Sequence, residues 1–243
     1  MAMVDEAAEL ADALAELRQS IHREPEIGLD LPKTQAKVLD ALDGLPLEIS
    51  TGRALSSVTA VLRGGRPGPV VLLRGDMDAL PVTEETGLPY ASATPGAMHA
   101  CGHDLHTAML AGAARLLCAR QADLPGAVIF MFQPGEEGCA GARHMISEGV
   151  LDAAGERPIA AYALHVTANK LPCGMFSTRP GPMLAAAGSS ASTEPPNPPP
   201  IIRAPNAPAA SAASTVESAS GQETSKSSRS DAWAWASSRP MSR

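Results

Sequence analysis

Ten consecutive residues, Met98-His99-Ala100-Cys101-Gly102-His103-Asp104-Leu105-His106-Thr107, hold a thiol, three imidazoles and a carboxylate. A thiolate and a neutral imidazole both suit a borderline divalent ion such as zinc. Gly102 permits the tight turn that would aim Cys101 and His103 at one point. Taken alone, the Cys-x-His spacing fits equally well a buried thiol beside a hydrogen-bonded imidazole, so the motif needs partners. Asp76 and Asp78, the pair Glu136-Glu137, and His165 are the candidates. Use of Cys101 as a nucleophile with His103 as its base fits less well. Both lie on one tight loop, and no strand-elbow segment surrounds the thiol.

These groups must be positioned by elements that the pattern of apolar residues predicts. Leu10, Leu14, Leu17 and Ile21 recur at intervals of four, three and four, which predicts an amphipathic helix over residues 5–21 ending near Pro25. His22, in the exit loop, is expected on the surface. A second short helix is expected over 34–42. Two β-branched runs, 58–62 and 70–74, are separated by Gly-Gly-Arg-Pro-Gly-Pro and read as a hairpin or as neighbouring strands. The second is apolar on both faces and delivers Asp76-Met77-Asp78 just past its end. A helix over 104–119 follows the Cys-Gly-His-Asp segment and places the thiol at its N-terminus, where free amides favour a thiolate. A strand over 127–132 ends in Gln-Pro-Gly-Glu-Glu, a helix covers 141–148, and a strand over 159–164 ends at His165. Residues 174–178 are a candidate last strand. Strand, polar cluster, helix is the recurring plan. Parallel strands alternating with helices would bring all of these clusters to one edge.

Composition narrows the partners. From about Gly188 onward the sequence has no Leu, Phe, Tyr, His or Cys, and Ser, Ala and Pro dominate. Five of the 19 Lys/Arg and four of the 26 Asp/Glu lie in that tail, which leaves the body eight acidic charges in excess. Phosphate backbones need clustered cations, so nucleic acid is excluded. No apolar run approaches membrane-spanning length, so no membrane partner is expected. Four sparse cysteines (101, 118, 139 and 173) and an N-terminus without signal-peptide features point to a reduced, cytoplasmic setting.

With those residues in place, the chain resembles the metal-dependent aminoacylase family of hippurate hydrolases, N-acyl-amino-acid amidohydrolases and auxin-conjugate hydrolases. The matching segments are Arg-Gly-Asp-Met-Asp-Ala-Leu-Pro (74–81), Glu-Thr-Gly-Leu-Pro-Tyr (85–90), Met-His-Ala-Cys-Gly-His-Asp-Leu-His-Thr (98–107), Gln-Pro-Gly-Glu-Glu (133–137) and Ala-Leu-His (163–165). The resemblance covers about residues 5–187. It implies a three-layer α/β sandwich with a mostly parallel sheet. It also implies a two-metal centre of manganese or zinc, and cleavage of the amide between an acyl group and an amino acid. By position it makes Cys101, His103, Glu137 and His165 metal ligands, Glu136 the general base and Asp78 a supporting acidic residue of the catalytic pair. The chemistry agrees. Neighbouring Glu136 and Glu137 point differently, so one can bind an ion while the other faces water and passes its proton to the leaving nitrogen. Asp78 could accept a hydrogen bond from a ligand imidazole and fix its tautomer. Asp76 is expected to bind a neighbouring amide, His99 and His106 to support the ligands, and His144 to lie on the surface.

The chain then departs from the family pattern. Relatives continue past Gly-Pro-Met-Leu-Ala-Ala-Ala (181–187) into a lid domain with much of the dimer contact, and then return with a final His ligand. The tail 188–243 has no histidine, and its Pro/Ser/Ala text lacks the periodicity to fold. The expectation is an incomplete catalytic domain over 1–187 followed by a disordered tail, of the kind a shifted reading frame produces. Such a chain would expose an unpaired apolar sheet edge, be marginally stable and be impaired as an enzyme. The competing expectation is a non-catalytic metal-binding fragment or inactive gene product.

Overall fold

The computed structural model describes residues 3–167. The candidate strand 174–178, Cys173, the domain boundary at 187 and the tail 188–243 all lie outside the described residues. Five helices, α1 (Met3–Glu9), α2 (Ala11–Arg23), α3 (Pro32–Leu42), α4 (His103–Cys118) and α5 (Gly141–Ser147), pack on one sheet. Its strands are β1 (Glu48–Thr51), β2 (Val58–Arg63), β3 (Arg66–Asp76), β4 (Pro125–Gln133) and β5 (Ala160–Ala163), in the order β1-β2-β4-β3-β5. Four of the five strands run one way and β2 runs against them. The fold is α/β with a mostly parallel sheet.

β4 explains the layering. It is buried along nearly its whole length, and alternate residues face opposite cores. Val128, Phe130 and Phe132 join Val38 and Leu42 of α3 and Leu110 of α4. Ala127, Ile129 and Met131 join Met145 of α5, with Val150 and Ala154 beyond it. Helices therefore cover both faces, giving three layers. Burying each large side chain such as Phe130 contributes about 1.5–3 kcal/mol.

The structure differs from the sequence expectations in four places. The runs before and after Gly64-Gly65 do not pair with each other, because β4 inserts between β2 and β3. The first helix is interrupted at Leu10 and becomes α1 and α2. Strand β1, exposed at every residue, has no apolar alternation to announce it. α3 starts two residues earlier than its apolar pattern requires. Pro32 occupies its first turn, and the Glu26 carboxylate accepts the N–H groups of Lys33 and Thr34.

At the other edge β5 pairs only with β3 among the described residues. Ile159, Tyr162 and Leu164 there are each at least 60% exposed. No described helix is long and apolar enough to cross a membrane.

Candidate metal centre

Three parallel strands end on one edge of the sheet, and each hands the chain to a polar turn. β3 passes to Met77 and Asp78, β4 to Glu136 and Glu137, and β5 to His165. Asp76 is in register with Gln133, and Arg74 with Ala163, so the three turns open side by side. Helix α4 starts at His103 on the same edge, with Cys101 two residues before it. Gly102 makes that approach possible. Its φ is +84°, and a Cβ there would lie 2.4 Å from Cγ2 of Val166, the residue after His165.

His103 is the hub of this edge. It is 1% exposed, and its Nδ1–H donates to the carbonyl of Asp78 at 2.8 Å. Nε2, the nitrogen that a proton or a cation could occupy, is buried and makes no hydrogen bond, with Asp76 Oδ2 3.5 Å away. A buried polar atom left open is costly unless something binds it. Donor atoms within 4.8 Å of one another form three groups around this ring: Cys101–His103–His165, His103–Glu136–Glu137 and Asp76–His103–His106. The four ligands expected from sequence, Cys101, His103, Glu137 and His165, divide between the first two groups and are joined through His103. Glu136 accompanies Glu137 in the second.

Cys101 Sγ lies 3.4 Å from Nε2 of His165. Nδ1 of His165 donates to the Val166 carbonyl at 2.6 Å, which turns the Nε2 lone pair toward the sulfur. Burial lowers the His165 pKa and favours the neutral ring a cation requires. Burial also opposes charge on His103, but Asp78, Cys101 and Asp76 outweigh it and lift its pKa to about 11. A proton and a divalent cation therefore compete for the same electron-rich position. Glu136 is pushed above the usual carboxylate range, first by burial and then by Glu137 and Asp76.

The carboxylate of Asp78 stands 3.6 Å from Nδ1 of His103, the ligand imidazole expected, and makes its hydrogen bonds elsewhere. Its two oxygens accept the backbone N–H of Glu136 at 2.9 Å and of Glu137 at 3.0 Å. It clamps the turn that carries both glutamates, while its carbonyl orients His103. Asp76 also departs from expectation. Its carboxylate binds side chains, His106 Nδ1 at 2.6 Å and Arg74 Nη1 at 2.6 Å, and not an amide. Burial works to raise its pKa, but His106 and Arg74 prevail and hold it well below the usual range.

Sequence reasoning missed a second buried cluster. His22 is 2% exposed, not a surface side chain. Its Nδ1 meets Asp104 Oδ2 at 2.8 Å and its Nε2 meets Glu84 Oε1 at 3.2 Å, while Arg18 Nε donates to Asp104 Oδ2 at 2.6 Å. No local signal marks His22 for burial, since its partner lies 82 residues away. His99 is buried nearby with neither ring nitrogen hydrogen-bonded, whereas His144 is exposed as expected.

Residues 72–239, more than two thirds of the chain, match the family model described as peptidase family M20/M25/M40. The chain belongs to that family. A relative, the Bacillus subtilis N-acetylcysteine deacetylase, is 40% identical over 176 residues, 71% of this chain and 44% of that protein. The Arabidopsis thaliana IAA-amino acid hydrolase ILR1-like 5 is 41% identical over 182 residues, 75% of this chain and 40% of its own length. The crystal structure of the Bacillus subtilis YXEP protein, titled a dinuclear metal binding peptidase from the M20 family, superposes with a TM-score of 0.67. It is 39% identical and covers 72% of this chain and 48% of its own. The chain spans less than half the length of these curated relatives. The donor set here fits a divalent metal. One thiol, two imidazoles and a carboxylate pair are chemically suited to a divalent ion, and the buried Nε2 of His103 is open toward them.

Proposed function

We propose that this strand-end edge is the centre of a metal-dependent amidohydrolase acting on N-acyl amino acids of the hippurate type. Cys101, His103, Glu137 and His165 would hold divalent manganese or zinc, and Glu136 would serve as general base. The observation that carries this reading is the buried Nε2 of His103, which makes no hydrogen bond and lies where two groups of anionic and imidazole donors meet. A divalent ion bound there supplies Lewis-acid polarisation of the scissile carbonyl and a lowered pKa for the attacking water.

The remaining work belongs to the chain's own residues. Glu136, with its raised pKa, accepts the proton of the attacking water and returns it to the leaving nitrogen. Asp78 keeps Glu136 and Glu137 diverging by gripping both of their amides. The substrate class is supported by the names of relatives, one a deacetylase of N-acetylcysteine and another a hydrolase of an amino acid conjugate. A small molecule is thus the partner.

Elemental analysis of the purified chain, paired with an assay on hippurate for the wild type and Glu136→Ala, tests the reading. Bound metal with hydrolysis that vanishes in the variant supports it. A second reading, a metal-binding fragment without catalysis, is favoured by the chain's covering less than half of its relatives. Stoichiometric metal without turnover of any acyl amino acid would establish that second reading instead.

A further inference from the structure

His106 is a third imidazole at this edge, and neither the ligand set nor the general base uses it. It is 3% exposed and stands in donor range of Asp76 and His103, as a further ligand would. Its hydrogen bonds exclude that role. Nδ1 faces Asp76 Oδ1 at 2.6 Å, and Nε2 receives the backbone N–H of Val166 at 2.9 Å. An N–H can donate only to an unprotonated nitrogen, so Nε2 carries the lone pair and Nδ1 carries the hydrogen. Both ring nitrogens are committed. Asp76 is committed as well, with Oδ1 on His106 and Oδ2 on Arg74 Nη1, the latter oxygen also 3.5 Å from His103 Nε2.

What the ring holds is the more telling fact. Val166 is bound at both ends of its backbone, its N–H by His106 and its carbonyl by the Nδ1–H of His165. The His106 and His165 rings also meet edge to face, with centroids 4.7 Å apart. We propose that Asp76 and His106 form a tautomer lock that positions His165. Asp76 keeps the hydrogen of His106 on Nδ1, His106 then anchors Val166, and Val166 turns the Nε2 lone pair of His165 toward Cys101. His106 is accordingly a positioning residue. The proposal rests on His165 being a metal ligand, but the lock itself exists without metal.

Arg74 makes the lock sensitive to one isosteric change. In Asp76→Asn the side chain has a single oxygen for two donors, Arg74 and His106. The cation takes the oxygen. The amide hydrogens then face Nδ1 of His106, which drives the ring to its Nε2–H form and sets two hydrogens against each other at Val166.

Ring-nitrogen NMR on the full chain, labelled at histidine and free of metal, tests this directly. The expected result is His106 with its hydrogen on Nδ1 in the wild type and on Nε2 in Asp76→Asn. An Nε2–H ring or a mixture in the wild type overturns the lock. Zinc affinity by chelator competition is the second readout. His106→Gln, whose amide oxygen can still accept from Val166, should bind zinc within a few-fold of wild type. His106→Leu and Asp76→Asn should each lose roughly 10–100-fold. A space-filling role predicts the reverse order, because leucine suits a buried position better than glutamine. Equal affinity of the two His106 variants would therefore overturn the proposal. Should the wild type take up no zinc, the metal reading falls, and the NMR tautomers still decide the lock.

Discussion

Two consecutive residues of α4, His103 and Asp104, enter two buried polar clusters that differ in one respect. Around Asp104, charge is matched. Its Oδ2 meets Arg18 and His22, and Glu84 takes the other nitrogen of His22. Around His103, electron-rich groups outnumber the cations that could balance them, and its Nε2 makes no hydrogen bond, with Asp76 Oδ2 3.5 Å away. The first cluster ties α2 to the start of α4 and balances its charges within the protein, although Asp104 Oδ1 itself accepts no hydrogen bond. The second is complete only with something positive added. Burial alone does not distinguish a structural cluster from a reactive one. The difference lies in whether the charges balance, since each cluster holds a buried atom without a hydrogen bond.

That contrast can be broken by mutation. His103→Gln removes the only residue common to all three donor groups. Its metal affinity should fall by more than the roughly 10–100-fold typical of losing an outer partner, as read by chelator competition. Glu136→Ala should reduce hydrolysis of hippurate by about 10²–10⁴-fold while leaving the metal content by elemental analysis unchanged. Asp104→Ala should act on the other cluster. Stranding Arg18 and His22 without their anion should cost the metal-free protein about 3–5 kcal/mol, measured by urea unfolding. If His103→Gln destabilises the metal-free chain as much as Asp104→Ala does, the distinction between the clusters fails.

The pH dependence of the matched cluster sharpens the comparison. Burial lowers the His22 pKa, but Asp104 and Glu84 more than compensate and raise it above its ordinary 6.5. This contribution is full below 6.5 and is lost as pH rises through the raised value. Asp104 resists burial through His22, His99 and Arg18, and its pKa lies below 3.8. Its contribution is full above 3.8 and is lost as pH falls through the lowered value. Urea midpoints of the metal-free chain should therefore be highest between these ordinary values and decline on both sides. In Asp104→Ala the dome should flatten. The smallest effect belongs to the exposed His144. His144→Ala should change stability by less than about 0.5 kcal/mol and leave zinc affinity unaltered.

Much of this arrangement is legible in local sequence. The leucine spacing of α2, the buried run of β4 and the start of α4 after Gly102 all follow from side-chain periodicity and turn chemistry. The gathering of Asp78, Glu136, Glu137 and His165 follows from strands sharing one direction. What local pattern does not carry is pairing at a distance. β4 separates β2 from β3 although more than 40 residues lie between Asp76 and Pro125. His22 is buried by Asp104, and Asp76 is occupied by His106, through contacts that no neighbouring residue foretells. Asp78 was legible as an acidic residue near the centre, but its grip on two amides depends on how the β4 turn approaches.

Strand β5 gives the centre a mechanical dependence. It supplies His165 yet is stitched to the sheet along one side only among the described residues, by the four-residue register Val71–Arg74 against Ala160–Ala163. A short border strand frays more readily than an interior one. Any segment that zips onto its free side would steady His165 as well, so cation uptake becomes a gauge of how fully the sheet has been finished.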